Sequence, residues 1–150
     1  MSVTWNGRAV MARILEGAAD GVEIAAQTVL EEGGRLILSP PKSGRIYTTR
    51  FFTIGRGPGR KVIPYGSRPA HQASAPGQPP ANDTGALVAS GRVESNRLAA
   101  SAKALWDSPV ASWMELGTDR IEPRPFARRA LLSKTTDIAL SIARSIRTRL

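Results

Sequence analysis

The chain has 150 residues, no cysteine and a formal net charge of +9, so its length suits one domain with its own core, while disulfides and thiolate metal sites are excluded. It has no apolar run of the roughly 18 residues that a membrane-spanning helix needs, and its N-terminus lacks the apolar core of a signal peptide. We therefore expect a single domain over residues 1–150, made in a reducing cytoplasm.

The first predicted element is an amphipathic helix from Val3 to about Leu30, because apolar side chains recur there at helical spacing. Thr4 or Asn6 is a suitable N-cap residue. Gly33-Gly34 is expected to loosen the helix, Leu36-Ile37-Leu38 to resume it for a turn, and Pro40-Pro41 to end it. With five acidic residues against three basic ones, residues 1–38 carry a negative charge.

A long basic arm is predicted from Ser39 to Asn82, where seven basic residues occur without an acidic one. Arg45–Ile54 is rich in β-branched and aromatic residues, which favours a strand, and a glycine-rich turn follows it. Arg60–Tyr65 is predicted to return as an edge strand, because Pro64 has no backbone N–H to donate. Such a hairpin has little apolar surface of its own, so we expect it to become ordered against a neighbour.

The charge of this arm leaves two interpretations open. It is either a solvated loop or a contact with a polyanion or with the acidic surface of a partner. Aromatic side chains alternate with its cations, and such rings could stack on bases, anchor a protein–protein contact or pack within the hairpin itself. These residues are Tyr47, Arg50, Phe51, Phe52, Tyr65 and Arg68.

Proline and glycine dominate the stretch from His71 to Leu87, which therefore cannot form a helix or an inner strand. We interpret it as an ordered strap that joins the N-terminal helix and its arm to a C-terminal sheet and helix. Asp83-Thr84-Gly85 is predicted to be a turn whose side-chain oxygens cap a short helix over Leu87–Ser90.

The C-terminal half is predicted to contain a short antiparallel pair, Gly91–Ser95 and Leu98–Trp106, followed by Val110–Leu116 as either a strand or a short helix. From Phe126 the apolar spacing predicts one amphipathic helix with an arginine-rich polar face. The predicted fold class is α+β: a long N-terminal helix and a C-terminal helix packed on a small antiparallel sheet, with a projecting basic hairpin.

Catalytic motifs are weak in this sequence. Asp83-Thr84-Gly85-Ala86 matches the catalytic loop of retroviral-type aspartic proteases, but the apolar strand that should precede it is replaced by a proline-rich segment. His71 is the only histidine, so a metal site has few ligands to draw on. The glycine-rich turn at Gly55–Lys61 lacks the spacing of a phosphate loop. We therefore expect neither an enzyme nor a bound cofactor or metal.

Several segments, in a distinctive order, resemble a known family. They are Pro41–Tyr47 (Pro-Lys-Ser-Gly-Arg-Ile-Tyr), the strap from Ser74 to Leu87 with its Ala-Pro-Gly-Gln-Pro-Pro and Asp-Thr-Gly-Ala-Leu runs, Ala111–Thr118 (Ala-Ser-Trp-Met-Glu-Leu-Gly-Thr), and Pro123-Arg124-Pro125-Phe126. Together they resemble the head–tail joining, or tail completion, proteins of tailed double-stranded DNA phages. The sequence departs from the family pattern at Trp113 and Leu116, and in a long basic insertion at Arg50–Arg68.

The resemblance implies a structural protein of the virion rather than an enzyme. Such proteins form a ring, usually of six copies, in the neck between the capsid portal and the tail tube, and are assembled in the host cytoplasm. The implied partners are further copies of the chain, neighbouring neck and tail proteins, and the double-stranded DNA in the lumen, with no membrane. Two alternatives stay open: a tail terminator ring, and a basic nucleic-acid-binding protein.

Two sets of candidate residues follow. Those assigned to subunit or partner contacts are Arg45, Tyr47, Phe51, Phe52, Pro76, Pro79, Pro80, Asp83, Trp113, Glu115 and Phe126. Those that could contact DNA or an acidic partner are Arg56, Arg60, Lys61, Arg144, Arg147 and Arg149.

Overall fold

The computed structural model describes residues 6–39 and 42–150, without the side chains of residues 50, 51, 65, 67 and 68. The expectations for Thr4 and for Pro40-Pro41 lie outside this description. Mixed helices and antiparallel strands confirm the predicted α+β class. The elements in chain order are α1 (Gly7–Leu38), β1 (Ile46–Ile54), β2 (Lys61–Gln72), α2 (Ala86–Ala89), β3 (Gly91–Asn96), β4 (Ser101–Trp106), α3 (Pro109–Leu116), α4 (Ala127–Ser133) and α5 (Thr135–Arg149).

Helix α1 is longer than the sequence predicted. Asn6 caps its start by accepting a hydrogen bond from the Ala9 N–H at 3.3 Å. The helix continues without a break through Gly33-Gly34, so the expectation that these glycines loosen it was wrong. The reason is tertiary packing: a Cβ at Gly33 would lie 2.6 Å from the ring of Trp106, so this glycine makes room for an indole.

Two further glycines of α1 allow α5 to pack against it almost backbone to backbone. A Cβ at Gly17 would lie 2.7 Å from the Cα of Ile146, and one at Gly21 would lie 2.6 Å from the Cα of Ile142. The earlier residue of α1, Gly17, meets the later residue of α5, Ile146, so the two helices run antiparallel. Nothing in the predicted apolar stripe had assigned this role to the glycines.

The sheet formed by β3 and β4 packs against α1. The register runs from Gly91 opposite Trp106 to Asn96 opposite Ser101. Strand β4 begins later than predicted, because residues 97–100 form the turn. Leu98, which was expected inside the strand, is 99% exposed in that turn. The alternation of small and apolar residues on β4 places Ala102, Ala104 and Trp106 towards the helices.

The core lies where the sheet, α3 and α4 meet the end of α1. Phe126 and Ile37 are each 1% exposed, and the ring of Phe126 meets that of Trp106 edge to face at 5.0 Å. Segment 109–116 is a helix, with Ser108 as N-cap and Pro109 in its first turn, where the missing N–H costs no helical hydrogen bond. Its buried residue Ala111 completes this cluster.

The predicted C-terminal helix is divided into α4 and α5 at Lys134, so the expectation of one helix was wrong. The hydroxyl of Thr135 donates to the carbonyl oxygens of Leu131 and Leu132 at 3.2 and 3.1 Å. Side-chain hydroxyls that bond to backbone carbonyls in this way tend to bend or interrupt helices. The break lets α4 pack on the core while α5 follows α1.

Strands β1 and β2 form a separate two-stranded antiparallel sheet. Their register runs from Ile46 opposite Gln72 to Ile54 opposite Lys61, with an irregularity between Tyr47 and Arg50. Strand β2 is longer than the predicted Arg60–Tyr65 and includes the first residues of the strap. This β1–β2 pair is hereafter the hairpin, and the rest of the described chain is the body.

Candidate subunit interface

Hydrogen bonds hold the base of the hairpin to the strap. The N–H of Gly44 donates to the carbonyl oxygen of Ala73, and the N–H of Ala73 donates to that of Arg45, both at 2.9 Å. The side-chain oxygen of Gln78 accepts from the N–H of Ser43 at 3.1 Å. These contacts fix the direction in which the hairpin leaves the body.

The two strands of the hairpin expose apolar side chains on the surface. A two-stranded ribbon is marginally stable at best without such surface being buried. The Arg45 guanidinium lies 5.3 Å from the centre of the Tyr47 ring, and the side chain of Phe51 lies outside the description. The exposed apolar residues are Ile46, Tyr47, Phe52, Ile54 and Val62.

The outer edges of the hairpin differ in their ability to pair with another strand. Strand β2 contains Pro64 and Pro69, which have no N–H to donate. Strand β1 contains no proline and is rich in β-branched and aromatic residues. Among the strands described, β1 pairs only with β2. The free edge of β1 is therefore the one able to accept a further strand.

The tip of the hairpin concentrates positive charge. Arg56 and Arg60 are exposed in a turn that Gly55 and Gly57 shape with φ values of 86° and 77°, and the exposed Lys61 begins β2 directly after it. None of the three cations forms an ion pair with a side chain in the described part of the chain. The tip is thus a compact cationic surface open to solvent.

The strap is ordered by contacts with the segment that precedes α4. The N–H of Gly77 donates to the carbonyl oxygen of Pro123 at 3.0 Å, and Nε of Arg124 donates to that of Ser74 at 3.2 Å. Of the three prolines assigned to partner contacts, Pro76 is exposed, Pro79 is half-buried and Pro80 is buried. Pro80 therefore packs within the subunit, and Pro76 offers the most surface to a neighbour.

Asp83 lies at the end of the strap, beside the hairpin. Its Oδ1 is 3.8 Å from Nδ1 of His71. The N-cap residue of α2 is Gly85, which makes no side-chain capping hydrogen bond, so the predicted side-chain cap was wrong. Within the turn, Oγ1 of Thr84 accepts from the N–H of Ala86 at 3.4 Å. Helix α2 accordingly begins one residue earlier than predicted. No group of three potential ligand side chains able to hold a metal ion occurs among the described residues.

Glu115 caps a helix other than its own. Its carboxylate accepts hydrogen bonds from the N–H groups of Phe126, Ala127 and Arg128 at 2.8, 3.0 and 3.0 Å. A negative charge at the start of α4 is favoured by the helix dipole and satisfies three otherwise unpaired donors. Glu115 and the buried Phe126 therefore stabilise the subunit interior, and Phe126 offers no surface to a partner.

Trp113 lies on the outer face of α3, where its side chain is 49% exposed. Val110 and Leu116 stand three positions before and after it on the same face and are also exposed. The opposite face of the helix packs into the core through Ala111 and Met114. Trp113 thus remains available for a contact between molecules, within an apolar surface that the sequence had marked only at this residue.

One arginine of α5 and one of the β3–β4 turn pair with acidic residues of α1. Arg149 donates to Asp20 at 2.7 Å and to Glu16 at 3.2 Å. Arg97 donates to Asp20 at 2.5 Å and to Glu23 at 3.3 Å. The hydrogen bonds from Arg97 and then Arg149 hold the pKa of the Asp20 carboxyl below its ordinary value. Arg149 is therefore already engaged within the chain.

Asp20 and Glu23 line a groove of about 820 Å³ between α1, β3 and α5, hereafter the acidic groove. Arg144 lines it from α5, whereas Arg147 lies on the same helix outside the lining. The sequence analysis noted the negative charge of residues 1–38 without assigning these acids a role. The residues that line the groove are Asp20, Glu23, Ile24, Gln27, Thr28, Glu31, Val93, Arg144, Ser145, Thr148 and Arg149.

Comparison with protein families, with curated proteins and with solved structures gave no match. None of the helices described is both long enough and apolar enough to cross a bilayer.

Proposed function

We propose that this chain is a structural subunit of the neck of a tailed double-stranded DNA phage, where it forms a ring that joins the head to the tail. The observation that carries this proposal is the hairpin. Hydrogen bonds hold its base to the strap. Its two strands nevertheless expose apolar side chains, and its tip is cationic. A surface of this kind is stabilised when a neighbouring molecule covers it.

The order of the sequence motifs supports the same function. The described part of the first segment, residues 42–47, leads into β1, the strap runs from the hairpin to α2, and the Trp-Met-Glu-Leu-Gly-Thr segment ends α3. Glu115 of that segment caps the helix that follows Phe126. The segments that carry the family resemblance are thus joined physically.

A ring explains why the subunit carries both a projecting arm and exposed surface elsewhere. Subunits in a closed ring meet head to tail, so two different surfaces of each copy are used. By the resemblance the ring holds six copies, contacts other neck proteins or the tail tube, and surrounds DNA without reading its sequence. Its site in the cell is the virion neck, and it performs no catalytic step.

The cationic tip favours a second candidate, a basic nucleic-acid-binding protein. Arg56, Arg60 and Lys61 would then provide most of the affinity, and binding would fall steeply as salt rises because each neutralised phosphate releases counterions. A tail terminator ring is the nearest alternative within the structural class and differs only in the partner that it meets.

Complementation of a mutant lysate tests the proposal. A lysate of the parent phage with a stop codon in this gene is expected to hold heads and tails that remain separate. Addition of the purified chain should then produce joined particles and restore infectivity, with the chain visible as a ring by negative-stain imaging. Joined particles that form without the chain, or tight DNA binding at low salt without virion incorporation, would contradict the proposal.

A further inference from the structure

The hairpin and the acidic groove carry opposite charges on separate faces of one chain. Seven basic residues and no acidic one lie in residues 39–82, whereas the groove is lined by three acidic residues of α1, Asp20, Glu23 and Glu31, against Arg144 and Arg149 of α5. Charge complementarity of this kind guides the association of protein surfaces and sets their register.

The acids of the groove form a stripe along α1. Polar residues recur on α1 every three or four positions and therefore share one helix face. They are the acids Asp20, Glu23 and Glu31, with Gln27 between the last two. At a rise of about 1.5 Å per residue, the stripe is roughly 17 Å long. Arg97 and Arg149 reach only its first part. Glu31 accepts a hydrogen bond from Gln27 and forms no ion pair with a described side chain.

Strand β3 forms one wall of this groove, since Val93 lines it. Among the described strands β3 pairs only with β4, so its outer edge is open. The proline-free edge of β1 is open as well. Two open edges can join by strand addition, in which backbone hydrogen bonds supply affinity. Ile24, exposed on the floor of the groove, offers apolar surface to the hairpin.

The hairpin of the same chain does not occupy this groove. Its strands contact each other extensively but make no extended contact with α1 or β3, because the strap holds its base. We infer that the acidic groove binds the hairpin of a second copy of this chain, with the cationic tip beside Glu23 and Glu31. This inference rests on the proposed ring, whose head-to-tail contact it specifies.

Charge reversal on both surfaces tests this contact. An arm variant carries Arg56→Glu, Arg60→Glu and Lys61→Glu, and a groove variant carries Glu23→Lys and Glu31→Lys. Each variant alone should associate at least about 100-fold more weakly than the wild type, because like charges then face each other. An equimolar mixture should regain association, since every contact in an alternating ring joins opposite charges.

Light scattering and native mass spectrometry measure this result. The mixture should yield assemblies that contain both variants in equal numbers, whereas either variant alone yields monomers. A matched control reverses two exposed charges outside both surfaces, Glu122→Lys and Arg129→Glu, and should associate like the wild type. Thermal unfolding establishes that each variant is folded. Glu31→Lys alone, at a residue that forms no ion pair with a described side chain, replaces the groove variant if that one unfolds.

Cross-linking gives an independent measurement, because the chain has no cysteine of its own. Ile54→Cys on β1 and Thr28→Cys in the groove are prepared separately and then mixed under mild oxidation. A disulfide-linked dimer of the two is expected. Ile54→Cys mixed with Leu132→Cys, on the exposed surface of α4, should give none. If the free chain is monomeric, the same pair is tested in assembled necks.

The outcomes separate this inference from the proposed function. If joined particles form normally with the arm variant alone, the hairpin contact is overturned while the neck function stands. If the arm variant loses only DNA binding, the tip contacts nucleic acid and the inference fails. If the wild type neither self-associates nor enters necks, the proposed function fails first.

Discussion

The body and the hairpin use their apolar residues in opposite ways. In the body, Phe126 and Ile37 are buried and glycines bring α1 and α5 into close contact. In the hairpin, Phe52 and Ile54 are exposed although both lie in the paired part of the two strands. The body is therefore stabilised by its own chain, whereas the hairpin has apolar surface that the described part of the chain leaves exposed.

The largest expected difference between the two regions comes from removing one aromatic ring in each. Phe126→Ala should lower the free energy of unfolding by about 3–5 kcal/mol, because it leaves a cavity beside Trp106. Phe52→Ala should lower it by less, about 1–2 kcal/mol, since Phe52 is already 43% exposed. Urea denaturation measures both. Equal losses would show that the hairpin contributes to the core.

A pair of glycines in α1 sharpens the description of the body. Gly21→Ala should destabilise the fold by about 1–3 kcal/mol, because the new methyl group forces α5 away. Gly34→Ala, where the nearest atom would be 3.8 Å away, should stabilise it by about 0.5–1 kcal/mol through helix propensity. Thermal melts of the two variants test the contrast, and shifts of the same sign would contradict the close packing.

Removal of the Glu115 carboxylate should have a somewhat smaller effect within the body. Glu115→Ala leaves three N–H groups at the start of α4 without their acceptor, and we expect a loss of about 1–2 kcal/mol. Glu115→Gln keeps one acceptor oxygen and should lose less. Hydrogen exchange at residues 126–128 should accelerate in the alanine variant. Unchanged exchange would show that the cap is dispensable.

The smallest expected effect is a dependence of body stability on pH. Glu32 of α1 is 8% exposed, and the hydrogen bonds from Arg35 lower the pKa of its carboxyl from the usual 4.5. A lowered pKa in the folded state stabilises the fold above pH 4.5, and this contribution is lost as pH falls through the folded-state value. Glu32→Gln should flatten that part of the stability curve. Unfolding midpoints between pH 3 and pH 6 measure it, and an unchanged slope would exclude this origin.

Local sequence patterns predicted the elements better than their partners. The apolar spacing of α1, the β-rich run of β1 and the turn residues of the strap act over a few positions, so they could be read from the sequence. The close packing at Gly17 and Gly21 could not, because it depends on Ile142 and Ile146 far along the chain. The same is true of Glu115, whose partners lie 11 to 13 positions away.

The residues of the candidate interface were also predicted only in part from the sequence. Among the residues assigned to contacts with a partner, Tyr47 and Trp113 are exposed. Phe126 and Pro80 are instead buried, because their apolar side chains pack within the subunit. The acidic groove was missed, since its walls come from three separate elements. The one local signal was the run of acids without a base on α1.

The contact between α1 and α5 has a consequence for the way the chain folds. Asp20 and Arg149, which join the two helices, stand 129 positions apart. During synthesis α1 emerges from the ribosome long before α5. The face of α1 that contains Gly17 and Gly21 therefore stays uncovered until α5 has been made. Contacts of such long range slow folding, and an unpaired helix face is prone to aggregation in the interval. The acidic residues along α1 give the helix a net negative charge, which opposes aggregation during this interval.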